Sequence, residues 1–139
     1  MLIGVVSDTH LHSKQVPDSL IDALSGVEMI LHAGDILDMS VIRRLEEVAP
    51  TFAVKGNMDR GETARVLPLK RVIEVGGFKI GLTHGYGAPA GMIGKVRAEF
   101  GDVDCVVFGH THRPLIEESD GVLFFNPGSP TDRIFTRRN

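Results

Sequence analysis

Apolar residues fall along this chain in short runs that each stop at a small residue. LIGVV ends at Ser7, MILHA at Gly34, TFAVK before Gly56, KIGL at Thr83 and VDCVVF at Gly109. Runs of this length and β-branched content read as buried strands. In the first half, strands are predicted near Leu2–Val6, Met29–Ala33 and Thr51–Val54. Helices fall between them. One opens at Pro17-Asp18, with Leu20, Ile21 and Leu24 at helical spacing. Another runs from about Met39 to Val48, with Ile42 and Leu45 on one face, Asp38 as its N-cap and Pro50 as its stop. Strand-helix-strand alternation implies parallel pairing through right-handed crossovers. The second half has a different rhythm. Arg71–Val75 and Phe78–Leu82 flank Gly76-Gly77 as a hairpin. A helix is predicted over Pro89–Phe100, then a strand at Val103–Phe108. Pro114–Glu118 and Val122–Phe125 form a second hairpin about Asp120-Gly121. Two sheets with helices outside them is the simplest packing of these parts.

The residues just past each run carry the chemistry. Ser7-Asp8-Thr9-His10, Gly34-Asp35, Gly56-Asn57, Thr83-His84 and Gly109-His110-Thr111-His112 each place metal-ligand side chains where a strand ends. In open α/β sheets, sites gather at the carboxyl edge of the strands. Asp8 and His10, two apart, would face opposite ways on a flat strand; at a strand end the chain turns and both bend onto one ion. The glycines before Asp35, Asn57 and His110 allow a sharp turn and a close approach. Imidazole with carboxylate and no thiolate suits Mn, Fe, Co, Ni or Zn rather than a structural zinc knot. Seven ligands exceed the needs of one ion that must keep positions open for water and substrate. A carboxylate bridging two ions about 3.5–4 Å apart resolves the excess. Taken singly, each residue has a plainer role as a turn, a cap or a hydrogen-bonded loop histidine. It is the set of seven at strand ends that points to metal.

Composition narrows the class. With 139 residues, 42 % of them hydrophobic and 24 % charged, the chain is expected to form one domain over 1–139. Its apolar runs are strand-sized, so no membrane partner is expected, and no secretory signal is seen. The single cysteine, Cys105, sits inside an apolar run, which fits a reduced, cytoplasmic protein. Net charge is -3, and the basic cluster Arg133, Arg137 and Arg138 lies at the tail. Long nucleic acid is therefore not the expected partner.

In their order, Asp8-x-His10, Gly34-Asp35, Gly56-Asn57, His84-Gly85 and Gly109-His110-Thr111-His112 resemble the motif set of calcineurin-like metallophosphoesterases. Asn126-Pro127-Gly128-Ser129 is similar to the small, single-domain phosphodiesterase branch of that superfamily. The resemblance implies a four-layer α/β/β/α sandwich of two mixed sheets and two divalent metal ions, manganese first, with nickel, cobalt, iron or zinc also compatible. It implies that Asp8, His10 and His112 hold one ion and that Asn57, His84 and His110 hold the other, with Asp35 bridging. The reaction it implies is in-line attack of a metal-bound hydroxide on a phosphate ester, most readily a diester.

Two departures from the family pattern matter. Met58 stands where the wider superfamily usually has a histidine that protonates the leaving group or binds phosphate, and a thioether does neither. Asp59 is the nearest substitute carboxyl, so the catalytic candidates are Asp35, Asn57 and Asp59. Family members also continue past the Asn-Pro-Gly-Ser segment into a further strand, whereas this chain ends at Thr136-Arg137-Arg138-Asn139. An exposed sheet edge there would invite self-association. Among the remaining polar residues, His12 reads as a solvated loop residue and His32 as a hydrogen-bonded core residue. Ser129 is a candidate to line the pocket. Two alternatives stand beside the phosphodiesterase reading. One is a small-nucleotide phosphodiesterase. The other is a non-catalytic scaffold of the same fold, like the retromer subunit, which resembles this chain in its Gly-His-Thr-His and Asn-Pro-Gly-Ser segments.

Overall fold

A computed structural model describes residues 1–11 and 16–130. His12 and the tail arginines therefore lie outside the described residues. The first half builds a three-stranded sheet from β1 (Ile3–Val6), β2 (Met29–His32) and β3 (Thr51–Ala53), in the order β1-β2-β3. Both pairings are parallel, with Val6 beside His32 and His32 beside Ala53. The crossovers carry α1 (Asp18–Ala23) and α2 (Met39–Glu46). Pro17 is the N-cap of α1, and Asp38 caps α2 by accepting a hydrogen bond from the Ser40 N–H at 2.8 Å. This sheet is wholly parallel, as the strand-helix-strand alternation of this half implies, where the family resemblance implied a mixed sheet. Each of its connections passes through a helix, and a crossover of that kind returns the chain in the same direction.

The helix α3 (Glu62–Val66) was not expected from the sequence. The second sheet runs β4 (Lys70–Val75), β5 (Phe78–Thr83), β6 (Cys105–Val107), β8 (Val122–Asn126) and β7 (Leu115–Ser119) in the order β4-β5-β6-β8-β7. The two predicted hairpins are present as antiparallel pairs, while β5, β6 and β8 run parallel. Helix α4 (Met92–Ala98) connects β5 to β6.

Period-two alternation sorts the strand residues into three cores. Val6 and Ile30 pack with Val41, Ile42 and Leu45 of α2 outside the first sheet. Leu31 and Ala33 pack with Leu82 and Val107 between the sheets. Val106, Val122 and Phe124 pack with Met92 and Val96 of α4 outside the second. Neighbouring residues thus point into different cores, as Ile30 and Leu31 do, or Val106 and Val107. Three apolar layers between four layers of structure give the α/β/β/α sandwich. The parallel strands of both sheets end at one edge, where the Ala33 carbonyl oxygen lies 2.7 Å from His84 Nδ1. Among the described residues no helix is long and apolar enough to cross a membrane.

Candidate metal centre

The loops leaving β1, β2, β3, β5 and β6 bring all seven expected ligands to this edge. They are tied to one another by backbone hydrogen bonds: Asp8 N–H to Gly34 O at 2.9 Å, His10 N–H to Asp35 O at 3.1 Å, and Gly109 N–H to His84 O at 3.1 Å. The bends come from an unexpected source. Asp8, His10, Asp35, His110 and His112 themselves have φ between 47° and 71°, the left-handed region that L-residues enter at a cost. Gly34 turns at φ 100° as expected, but Gly56 and Gly109 have no such φ; they are needed for proximity. A Cβ on Gly56 would run into the Asp35 carboxylate, and one on Gly109 would run into Ser7 and Asp8.

One group forms around Asp8. Its Oδ1 lies 3.1 Å from His112 Nε2 and 3.6 Å from His10 Nε2, and the two imidazole nitrogens are 3.2 Å apart. Ligand atoms of Asp8, His10, Asp35 and His112 all fall within 4.8 Å of one another. A second group forms around Asn57. Its Oδ1 lies 2.9 Å from His84 Nε2 and 3.2 Å from His110 Nδ1, which are 3.3 Å from each other. Asp35 stands between the groups, its Oδ2 3.6 Å from His10 Nε2 and 3.2 Å from His84 Nε2.

The tautomers show what such a site requires. His84 Nδ1 lies 2.7 Å from the Ala33 carbonyl and His110 Nε2 lies 2.7 Å from the Gly87 carbonyl. A carbonyl only accepts, so those nitrogens carry the protons. In the neutral rings the other nitrogens then aim lone pairs at each other and at Asn57 Oδ1 and Asp35 Oδ2. Among the described residues, Asp8 Oδ1 is buried with no hydrogen-bond partner. Converging lone pairs and an unsatisfied buried carboxylate oxygen are what a cation resolves, and outer carbonyls that fix imidazole orientation are the usual support of metal ligands. The donor set fits divalent metal.

Without metal the charges compensate one another. Burial would raise the Asp8 carboxyl, but the His10 imidazole, the charge of His84 and the Ser7 hydroxyl bring it down to about 2. Burial would raise Asp35 as well, but the hydrogen bond and charge of His84 lower it. Asp8 raises His10. Burial would lower His84, but Asp35 and Asp8 raise it instead.

Several neighbours act through these loops. His32 is fully buried; the Gly34 N–H donates to its Nδ1 at 3.1 Å, so Nε2 carries the proton and donates to Thr9 Oγ1 at 3.1 Å. Burial pushes its pKa down to about 4 and keeps it neutral. That agrees with its reading as a hydrogen-bonded core residue. Ser129, a candidate to line the pocket, sits behind Asp8. It is buried, and its hydroxyl donates to the Asp8 carbonyl at 2.6 Å. Asn126 donates from Nδ2 to Gly109 O and to Thr111 Oγ1, both at 3.1 Å, so the Asn-Pro-Gly-Ser segment braces two ligand loops. Nothing in the sequence distinguished that role from a plain turn.

Asp59 requires a correction. It was the candidate proton source, but its carboxylate is buried and engaged elsewhere. Oδ2 accepts from the N–H groups of Asp35 and Gly56, and Oδ1 accepts from those of Ile36 and Leu37. Four N–H donors fill the lone-pair directions of a carboxylate. Met58 is 44 % exposed, and its backbone N–H donates to Asp35 Oδ1 at 2.8 Å.

The family model for the calcineurin-like phosphoesterase superfamily domain matches residues 1–139. The chain belongs to that superfamily. A probable metallophosphoesterase of Methanothermobacter thermautotrophicus is 42 % identical over 136 residues, covering 94 % of this chain and 78 % of the relative. Among solved structures, an archaeal phosphodiesterase aligns with a TM-score of 0.75 at 30 % identity, over 93 % of this chain and 84 % of its own. Wild-type Vps29 of Entamoeba histolytica complexed with zinc aligns with a TM-score of 0.75 at 32 % identity, over 94 % of this chain and 76 % of its own. The superfamily uses divalent metals, and the Asp8, His10, Asp35 and His112 cluster is where this member could hold one.

Proposed function

We propose that this chain is a single-domain, dinuclear metal-dependent phosphoesterase that hydrolyses phosphodiesters, with manganese the first metal to try. The observation that carries the reading is the placement of Asp35 Oδ2 between two ligand groups, 3.6 Å from one imidazole and 3.2 Å from the other. Asp8, His10 and His112 would hold one ion, Asn57, His84 and His110 the other, and Asp35 would serve both. Divalent ions held there would supply the Lewis acidity that activates a water and offsets charge on the phosphoryl oxygens.

The chain's own part is to position and to exclude. Ala33 O and Gly87 O hold the His84 and His110 rings so that their bare nitrogens face the site. A cleft of about 570 Å³, lined in part by Asn57, His84, Tyr86 and Lys55, adjoins the second ligand group and has room for an ester arm beyond the phosphate. That room favours a diester over a bare monoester. Met58 has no proton to give, and the Asp59 carboxylate is committed to backbone N–H groups, so neither assists departure of the leaving group.

The test is hydrolysis of a bis-aryl phosphate and the matching mono-aryl phosphate by metal-stripped protein, with Mn, Ni, Co, Zn and Mg restored in turn and Asp35→Asn as control. Metal-dependent turnover that is faster for the diester and lost in Asp35→Asn supports the reading. The structural likeness to Vps29 favours a second reading, a protein-binding scaffold that holds metal without turnover. Tight binding of two ions with neither ester hydrolysed would move the assignment there.

A further inference from the structure

We propose that Asp59 is the positioning residue of the metal centre, a carboxylate clamp that fixes the spacing between the two ligand groups. The inference rests on the dinuclear reading above. The loop after β2 enters the left-handed region at Asp35, with φ 56°, and again at Leu37, with φ 76°. In that conformation three successive N–H groups, of Asp35, Ile36 and Leu37, turn inward to one point at 3.0, 2.9 and 2.8 Å from the Asp59 oxygens. Such a concavity of backbone N–H groups is an anion nest. Here the anion is the protein's own, and it arrives from a different loop.

Asp59 also accepts from Gly56 N–H, at 2.8 Å, one residue before the ligand Asn57. In return, Asp35 Oδ1 accepts from Met58 N–H at 2.8 Å. Each loop thus contributes one carboxylate and takes the other's, and Asp35 is left with Oδ2 alone facing the two imidazole groups. Only glycine fits between them at position 56, because a Cβ there would meet the Asp35 carboxylate. If the clamp loosens, Asp35 Oδ2 no longer holds its distances to both His10 and His84, and one ion loses its bridge.

Asp59→Asn separates shape from chemistry. The amide keeps the volume but presents NH2 to two of the four N–H groups, setting donor against donor. In Asp59→Ala the nest is open to a small anion from solution. The experiment is manganese titration of metal-stripped wild type, Asp59→Asn and Asp59→Ala, followed by calorimetry and by the exchange-coupled electron paramagnetic resonance signal of a manganese pair. Circular dichroism serves as the check on folding.

The expected result is two ions and a coupled signal in wild type. Both variants should fold yet bind one of the ions about 10- to 100-fold more weakly, the range for lost outer-shell partners, with the coupled signal gone. Formate should restore the pair in Asp59→Ala, which general loosening of the fold would not do. If Asp59→Ala does not fold, Asp59→Asn decides by the same titration. A variant that binds both ions with wild-type affinity and coupling overturns the clamp while leaving the proposed function standing. Wild type that takes up no pair of ions overturns both.

Discussion

Acidification should find His32 before it finds any carboxylate of the site. Its ring is buried, accepts from Gly34 N–H and donates to Thr9 Oγ1, an arrangement available only to the neutral form. A second proton would face the Gly34 N–H head-on. The folded pKa is about 4 against an ordinary value of 6.5. Because the folded value is depressed, the unfolded chain binds more protons between these limits, so stability falls as pH falls through that window. The gap corresponds to about 3 kcal/mol once pH is below both values, with about 1 kcal/mol of it arriving between pH 6 and pH 5. His10 and His84, whose folded values are raised, add stability as pH falls from their folded values toward 6.5, and their contributions are level below that. The window from pH 6 to pH 5 therefore isolates His32. The assay is urea unfolding of metal-stripped protein at pH 6.0, 5.5 and 5.0, for wild type and His32→Asn. The asparagine oxygen can still accept from Gly34 N–H but does not titrate. Wild type should lose about 1 kcal/mol more than the variant across that interval. Parallel stability profiles would falsify the account of His32 as a neutral brace.

Asp35→Asn should lower kcat/KM of the metal-loaded protein by more than the 10- to 100-fold typical of an outer-shell partner, as measured by steady-state hydrolysis of a bis-aryl phosphate. Aryl diesters should outrun alkyl diesters steeply, since Met58 has no proton to give and the Asp59 carboxylate is held by backbone N–H groups. Met58→His should raise the alkyl rate by about 100-fold, the low end of general acid catalysis, with little change for the best aryl leaving group; a flat dependence on leaving-group pKa in wild type would contradict this. Gly56→Ala should cost about 1–3 kcal/mol in thermal unfolding, the usual range for overpacking, and should weaken metal uptake in calorimetry, because the added methyl meets the Asp35 carboxylate.

Much of the fold and site was legible in the chain because the signals were local. An apolar run, a small residue and a ligand in succession mark a strand end, and five repetitions fixed which residues would meet. What was hidden depends on contacts between loops far apart in sequence. Asp59 reads as a free carboxyl until the loop 22 to 24 residues earlier turns its N–H groups toward it. The bends at Asp8, His10 and His112 could not be read because aspartate and histidine, though enriched at positive φ, take it at a minority of positions, and of the glycines at 34, 56 and 109, Gly34 alone turns that way. Helix α3 escaped because ETARV is five residues with no amphipathic stripe, begun by Gly61 without a capping side chain. Ser129 and Asn126 look like turn residues by composition, and only their burial against Asp8 and Gly109 reveals otherwise.

The left-handed backbone at five of the seven proposed ligands sets the fold and its site in opposition. Each of Asp8, His10, Asp35, His110 and His112 holds a conformation that disfavours an L-residue by roughly 1–2 kcal/mol and that glycine adopts freely. A sequence selected only to fold would drift toward glycine at those five places and become sturdier for it. This chain keeps a carboxylate or an imidazole at every one. Five locally unfavourable residues around one point are what the proposed metal centre would ask of this chain, at a cost to the ease with which it folds.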